Sequence, residues 1–231
     1  MVVSAGNIDR DKISGYLDIG QLYPDYINNK VVFFPADCRN VLTVGSYTLC
    51  ASNFVPKDYP SPFSKAGFSE SILKPEVMAP GGNYYRYLNG SLNKVNYAQG
   101  LGIVSASNIG NNQLEDFGAS FSSPIVANIV AQMLERRIDL SVFLVKTLLI
   151  SSFNQMSNSI YGCFSEGIQG FGKIDKSLVV YSQEWRVCYL MQGEFDNRNP
   201  DEYHRYYFLF PQDADRLEIS VACGKLHTVS D

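Results

Sequence analysis

The period of the apolar residues changes at Pro124, and this change constrains the fold more than any other feature of the chain. Before it, short apolar runs such as residues 41–46 end at glycine or serine, which is typical of buried strands. After it, apolar residues recur at helical spacing from Ile125 to Leu134. Residues 140–152 predict a second helix that is apolar on most faces and therefore well buried. Strands and apolar helices in this pattern predict an α/β domain, a parallel sheet with flanking helices.

The charge and the cysteines exclude several classes of protein. The net charge is −4, from 19 Lys and Arg against 23 Asp and Glu, so there is no basic surplus to neutralise a nucleic-acid backbone. No apolar run approaches the roughly 18 residues that a membrane span needs. Five cysteines, an odd number without a CxxC pair, predict free and buried thiols. Free thiols slightly favour a reducing compartment such as the cytoplasm.

The chain divides near residue 182 into two parts. From residue 184 onward, three runs alternate aromatic and polar residues and are joined by the polar turns NRNPDE and PQDAD. We therefore expect a small β-rich extension over residues 182–231, after an α/β domain over residues 1–181. Both ends of the chain are strand-like, as expected of a piece of a longer protein. Within the first part, the Tyr- and Asn-rich residues 84–100 predict a surface hairpin or an insertion.

Two short segments carry residue types suited to acyl-transfer chemistry. Ser120 lies among small residues in GASFSSP, at the entry to the first helix, where a tight turn exposes the hydroxyl and the helix dipole stabilises negative charge. Asn7 ends the segment SAGN after a strand-like start, where its amide N–H groups suit a developing oxyanion. Each segment alone has a simpler explanation, a helix cap for Ser120 and an Asx turn for Asn7.

Taken in order, the short motifs of residues 1–181 resemble those of the subtilisin-like serine proteases. That family has an Ala-Gly-Asn motif, a Ser-x-x-Gly segment, an Ala-Pro-Gly turn, a nucleophile in Gly-Thr-Ser-x-Ala-x-Pro before a buried helix, and a closing Gly-x-Gly segment. The matching residues here are Asn7, Ser64 with Gly67, residues 79–81, Ser120 with Pro124, and residues 170–172. The resemblance therefore implies an α/β fold of the subtilisin-like type, of which this chain holds a part.

The resemblance also implies a function. Ser120 would be the nucleophile of a serine endopeptidase that hydrolyses polypeptides through an acyl-enzyme. The backbone N–H of Ser120 and the side chain of Asn7 would bind the oxyanion. Two residues depart from the family motif: Ala119 replaces threonine, and Ser122 stands at the position of a usual small residue. Neither departure removes the nucleophile.

A serine nucleophile needs a base, and the family places its catalytic Asp and His before the nucleophile along the chain. Here only six residues precede Asn7, and the only histidines, His204 and His227, both follow Ser120 in settings unlike the family's. We therefore expect a C-terminal half of a catalytic domain, inactive alone, whose partner is the missing N-terminal half. The alternative is an inactive pseudoprotease or peptide-binding module, of which Ala119 is the only local sign.

No cofactor is predicted. Calcium is common in the family, but the sequence has no DxDxDG loop, and its scattered Asp and Asn residues cannot be assigned as calcium ligands. The substrate preference cannot be inferred from the sequence, because the residues on the far wall of the family's main specificity pocket lie in the missing half. Members of the family are often secreted, whereas the cysteines favour the cytoplasm, so the sequence does not decide the compartment.

Overall fold

The structure is a computed structural model, and it describes residues 1–9, 27, 32–49, 57–69, 72–83, 85–88, 91–94, 100–108, 110, 112–158, 162–181 and 219. The strands are β1 (Val2–Ser4), β2 (Leu42–Tyr47), β3 (Gly67–Ser69), β4 (Ile72–Lys74), β5 (Val77–Pro80), β6 (Tyr85–Leu88), β7 (Ser91–Lys94), β8 (Ile103–Ala106), β9 (Gln113–Asp116), β10 (Phe153–Asn154), β11 (Ser157–Asn158), β12 (Gly162–Cys163) and β13 (Lys173–Ile174). The helices are α1 (Ala119–Arg136), α2 (Val142–Ser151), α3 (Glu166–Gln169) and α4 (Lys176–Val180).

A five-stranded sheet with the order β1-β2-β5-β13-β10 lies at the centre of the domain. Neighbours from β1 to β13 are parallel, and β10 joins β13 in the antiparallel direction. The register aligns Val44 with Ser4 on one side and with Val77 on the other. The predicted α/β fold, a parallel sheet with flanking helices, is confirmed. Because parallel strands run in one direction, the carboxyl ends of β1, β2 and β5 share one edge.

Side chains of β2 and β5 alternate between the two faces of the sheet. Val44 and Val77 pack on one face against helical residues, namely Val126, Ile129, Met133, Val145, Leu149 and Val180. Tyr47 and Met78 pack on the other face, in a cluster with Ile8, Ile27, Tyr59, Phe63, Ala66, Met156, Phe164 and Ile168. Both faces are therefore covered, which explains why residues 41–46 are apolar without alternation.

The start of α1 differs from the prediction. The apolar period places the helix after Pro124, whereas α1 begins at Ala119 and contains Pro124. Ser120 therefore lies in the first helical turn and not in front of it. A proline lacks only its own N–H, so here it removes one intrahelical bond, that to the carbonyl of Ser120. The predicted helical spacing is nevertheless found on the buried face of α1, which carries Val126, Ile129 and Met133.

The prediction that the second helix is well buried is wrong. Ser141 caps α2, accepting the N–H of Leu144 at 3.2 Å. Only Val145 and Leu149 of α2 are buried, and Val142 is 63% exposed. Its other residues, apart from Val142, are half-buried, so the helix is only partly covered. An apolar composition predicts that a helix is buried, but the packing of the neighbouring elements decides how much of its surface is covered.

The described residues also form antiparallel hairpins outside the central sheet. The strands β6 and β7 pair from Tyr85 with Lys94 to Leu88 with Ser91, which confirms the hairpin predicted for residues 84–100. A second hairpin of β8 and β9 follows and leads directly into α1. Two short pairs, β3 with β4 and β11 with β12, complete the antiparallel structure of the described residues.

Some predictions lie outside the described residues. The β-rich extension over residues 182–231 is among them, so the boundary near residue 182 stays a prediction. The cysteines Cys38 and Cys163 are free, as expected, but Cys38 is only half-buried and Cys163 is exposed, so the expected burial is not found for either. None of the described helices is long and apolar enough to cross a membrane.

A buried charge cluster lies where β2 and β5 begin. The fully buried Lys74 donates to Glu76 Oε1 at 2.8 Å, and to Thr43 Oγ1 and the carbonyl of Val41 at 3.1 Å each. Glu76 also accepts the N–H of Thr43 at 2.7 Å and lies 3.5 Å from the ammonium of Lys146 in α2. Burial lowers the pKa of Lys74, and its pairing with Glu76 opposes that shift. These hydrogen bonds and ion pairs connect α2 and the residues just before β5 to β2.

Substitution Lys74→Met leaves Glu76 with Lys146, at 3.5 Å, as its charged partner. Because a buried carboxylate without full compensation is unfavourable, we expect the free energy of unfolding, measured by urea titration, to fall by about 3 kcal/mol. The control is Lys176→Met at the exposed start of α4, which should change it by less than about 0.5 kcal/mol. Equal losses in the two variants would contradict a stabilising role for the cluster.

The phenol of Tyr47 makes stability depend on alkaline pH. Burial raises the pKa of Tyr47 to about 12, and Asp58 and Asp175 add to the shift. As the pH rises from about 10 to about 12, the unfolded chain loses this proton before the folded protein does, so stability falls through that window. Tyr47→Phe has no phenol to titrate, so its free energy of unfolding should not show this loss. Relative to the wild type, that free energy should rise by about 2 kcal/mol across the window. Denaturant titrations at several pH values measure it. The control is Val142→Ala at an exposed position, which leaves every phenol in place and should show no such gain.

Candidate active site

The carboxyl ends of β1, β2 and β5 meet the start of α1 at one edge of the sheet. The N–H of Gly118, which precedes the helix, donates to the carbonyl of Gly81 after β5 at 2.8 Å. Asn7 follows β1 at the same edge, and Ser120 is the second residue of α1. The sheet thus brings both predicted site residues to one place.

The backbone around Asn7 is held by a short antiparallel bridge to Ser64. The N–H groups of Ile8 and Lys65 donate to carbonyls of the facing segment at 2.6 and 3.0 Å. Bonds on both sides of Asn7 therefore fix the position from which its side chain extends. The Ser-x-x-Gly segment noted in the sequence supplies this support.

The side chain of Asn7 is oriented by the helix. Its Oδ1 accepts the N–H of Ala119 at 2.9 Å. Because only the oxygen of an amide can accept, this bond directs Oδ1 to the helix and leaves Nδ2 as a donor. A Cβ built on Gly118 would lie 3.1 Å from Nδ2 of Asn7 and 3.8 Å from the backbone nitrogen of Ser120. Both nitrogen atoms therefore border the same small space, which glycine leaves open.

Ser120 is exposed at this edge. In the part of the chain that the structure describes, no protein group is hydrogen-bonded to its hydroxyl or its N–H. N–H groups in the first turn of a helix lack intrahelical acceptors and form the positive end of the helix dipole. An exposed hydroxyl next to two N–H donors can combine nucleophilic attack with oxyanion binding. The roles of Ser120 and Asn7 stay predictions, but the structure places the two residues side by side.

Ser122 joins the helix to the sheet beneath the site. Its fully buried hydroxyl lies 3.0 Å from the carbonyl oxygen of Ala79 and 3.1 Å from that of Pro80, to which it donates. The sequence marks Ser122 only as a departure from the family motif, and its supporting contact was missed. Its spacing could have indicated it, because Ser122 lies four residues before the buried Val126 and hence on the same helix face.

Further buried hydroxyls support the loop below the site. Ser46 and Ser61 are hydrogen-bonded through their Oγ atoms at 2.7 Å, and Ser61 donates to the carbonyl of Gly82 at 2.6 Å. A Cβ on Gly81 would overlap the Oγ atoms of both Ser46 and Ser122. The Ala-Pro-Gly turn therefore needs its glycine for space. No sequence signal indicates Ser46 and Ser61, because serines in strands and loops are common.

The base that a serine nucleophile needs is not assigned. Both histidines, His204 and His227, lie outside the described residues. Within the described ranges, no group of three or more His, Cys, Asp or Glu residues is placed to hold a metal ion. Calcium therefore has no assigned site among the described residues.

Substitution Gly118→Ala tests whether glycine is required beside Asn7. The added Cβ would lie 3.1 Å from Nδ2 on a backbone with φ +155, so we expect the amide to shift and its bond to Ala119 to weaken. Hydrogen exchange of the Ala119 N–H should accelerate by about tenfold or more. Gly110→Ala is the matched control, since φ is +66 there and nothing lies within 4 Å. Unchanged protection of Ala119 in Gly118→Ala would contradict the expectation.

Solved structures of proteases resemble this chain at low identity. They include the prenylagaramide maturation protease PagA (18% identity, TM-score 0.46, covering 78% of this chain and 48% of that chain), the epidermin leader peptide processing serine protease EpiP from Staphylococcus aureus (23%, 0.47, 78% and 39%), and fervidolysin from Fervidobacterium pennivorans, a keratinolytic enzyme related to subtilisin (18%, 0.46, 78% and 22%). The chain spans less than half the length of each.

The family comparison is more decisive than the structural one. No curated protein matches the chain. The model of the subtilase family, peptidase S8, matches residues 1–164, which is more than half of the chain and includes Asn7, Ser64 and Ser120. The resemblance drawn from the short motifs is thereby confirmed, and the chain belongs to the subtilase family of serine proteases.

Proposed function

We propose that this chain supplies the nucleophile and the oxyanion hole of a serine endopeptidase acting on polypeptides. One observation carries the proposal: Asn7 Oδ1 is bonded to the N–H of Ala119 at 2.9 Å, which leaves its Nδ2 as a donor next to the exposed Ser120. Membership of the subtilase family supports the same reaction.

In the proposed reaction, the hydroxyl oxygen of Ser120 attacks the carbonyl carbon of a peptide bond while its proton passes to a base. The carbonyl oxygen becomes negatively charged and accepts hydrogen bonds from Asn7 Nδ2 and the Ser120 N–H. The C–N bond then breaks, and the leaving amine takes the proton from the base. Water hydrolyses the acyl ester on Ser120 and restores the hydroxyl.

We further propose that the base and its carboxylate partner come from the missing N-terminal half of the domain. Within the described residues β1 is hydrogen-bonded on one side only, to β2, so its other edge can accept a strand of that half. Such a strand would extend the sheet at the edge next to Asn7. The 231-residue chain alone is then expected to be inactive.

Labelling by a fluorophosphonate, which reacts with activated serine hydroxyls, tests the proposed function. The full reading frame that contains this chain should be labelled, and Ser120→Ala should abolish the labelling. Ser123→Ala, three residues away in the same helix, is the matched control and should keep it. Asn7→Ala should lower the labelling rate by about 10²–10³, the loss observed in subtilisin itself when one oxyanion donor is removed.

The outcomes separate the proposal from its alternative. Unchanged labelling in Ser120→Ala would contradict the assigned nucleophile. Absence of labelling in the full reading frame, together with measurable binding of unmodified peptides, would instead identify a pseudoprotease or peptide-binding module. Labelling of the 231-residue chain alone would contradict the need for a separate N-terminal half.

A further inference from the structure

Lys65 extends along the backbone next to the proposed oxyanion hole. Its N–H donates to the carbonyl of Gly6 at 3.0 Å. Its Cδ and Nζ lie 3.4 and 4.0 Å from the point where Gly6 would carry a Cβ. These are ordinary van der Waals distances, so the Lys65 side chain packs beside Gly6, which directly precedes Asn7. The ammonium of Lys65 is therefore held within one residue of the proposed oxyanion donor.

The ammonium of Lys65 has no carboxylate partner among the described residues. Three other lysines of the described part are paired, namely Lys74 and Lys146 with Glu76 and Lys173 with Asp58. Lys65 instead lies with its Nζ 4.3 Å from the ring centroid of Phe33. A cation held over an aromatic face keeps N–H donors on its far side. Half-buried and fixed in position, this charge is available to an anion that enters from solvent.

We propose that Lys65 forms a subsite for an acidic side chain of the substrate, on the residue whose carbonyl Ser120 attacks. This inference rests on the proposed function. When the carbonyl oxygen of that residue is bound by Asn7 Nδ2, its side chain branches one bond away, beside Gly6 and Lys65. The ring of Phe33, which is 66% exposed, offers an apolar contact to the methylene groups of a glutamate. The pairing of ammonium with carboxylate supplies the selectivity.

The overall charge of the chain does not by itself account for this preference. The net charge of −4 repels acidic peptides in general, so an acidic preference at one substrate position requires a local cation. Lys65 is the described cation that lies next to Asn7. The preference should weaken as salt is added, because the pair would be only partly shielded from solvent.

Three peptides that differ only at the residue before the cleaved bond, Glu, Gln or Lys, test the subsite. For the full reading frame, kcat/KM should be about tenfold higher for Glu than for Gln, and lower again for Lys. Lys65→Met keeps the aliphatic packing on Gly6 and should abolish the difference between Glu and Gln. Lys65→Arg should retain it, and Lys65→Glu should favour the Lys peptide. The exposed Lys176→Met is the matched control and should keep the preference for Glu.

A second readout does not depend on cleavage. Affinities of the same three peptides for the Ser120→Ala variant, measured by calorimetry, should follow the order Glu, Gln, Lys, and Lys65→Met should remove that order. Equal cleavage and equal binding of all three peptides, or a preference unchanged in Lys65→Met, would overturn the subsite and leave the proposed function standing. If no peptide is cleaved but Glu is bound best through Lys65, the subsite stands and the endopeptidase function fails. If no peptide is cleaved or bound, both fail together.

Discussion

One hydrogen bond, from the N–H of Ala119 to Oδ1 of Asn7, joins residues that are 112 positions apart. It fixes the orientation of the Asn7 amide and places its remaining donor at the start of α1. The geometry depends on both partners having a set position: the bridge to Ser64 holds Asn7, and the bond from Gly118 to Gly81 holds the helix start. The candidate site is thus a consequence of how α1 docks on the ends of three parallel strands.

The central strands carry buried polar groups at both ends. These groups are charged at one end and neutral at the other. Where β2 and β5 begin, the ion pair of Lys74 and Glu76 joins them to α2. Where they end, the hydroxyl of Ser122 donates to a backbone carbonyl of β5, and the hydroxyl of Ser46 is bonded to that of Ser61. These hydroxyls are neutral, so they add no charge beside the candidate nucleophile. The charged cluster is kept at the far end of the same strands, where it can stabilise the fold without affecting the chemistry.

The proposed acidic subsite extends this arrangement to the substrate. Lys74 and Lys173 have carboxylates within 2.8 Å, and their charges are compensated inside the protein. Lys65 is held by a ring and by a backbone, neither of which neutralises it. The same segment that supports Asn7 through Ser64 therefore also carries the charge assigned to substrate selection. Catalytic geometry and selectivity would then depend on a single antiparallel bridge.

The sequence by itself determined the strand β2, the hairpin at residues 84–100, the apolar face of α1 and the order of the motifs that contain Asn7 and Ser120. These features are local, since they follow from alternation, helical spacing and turn residues within short windows. The tertiary structure decided the start of α1 at Ala119, the exposure of α2, the support from Ser122 and the position of Lys65 beside Gly6. Each of these features depends on packing contacts with a part of the chain that is distant in sequence, and no local pattern contains that information. The adjacency of Asn7 and Ser120 was already implied by the family resemblance, but the bond that orients the Asn7 amide depends on the parallel sheet, which brings the ends of distant segments to one edge.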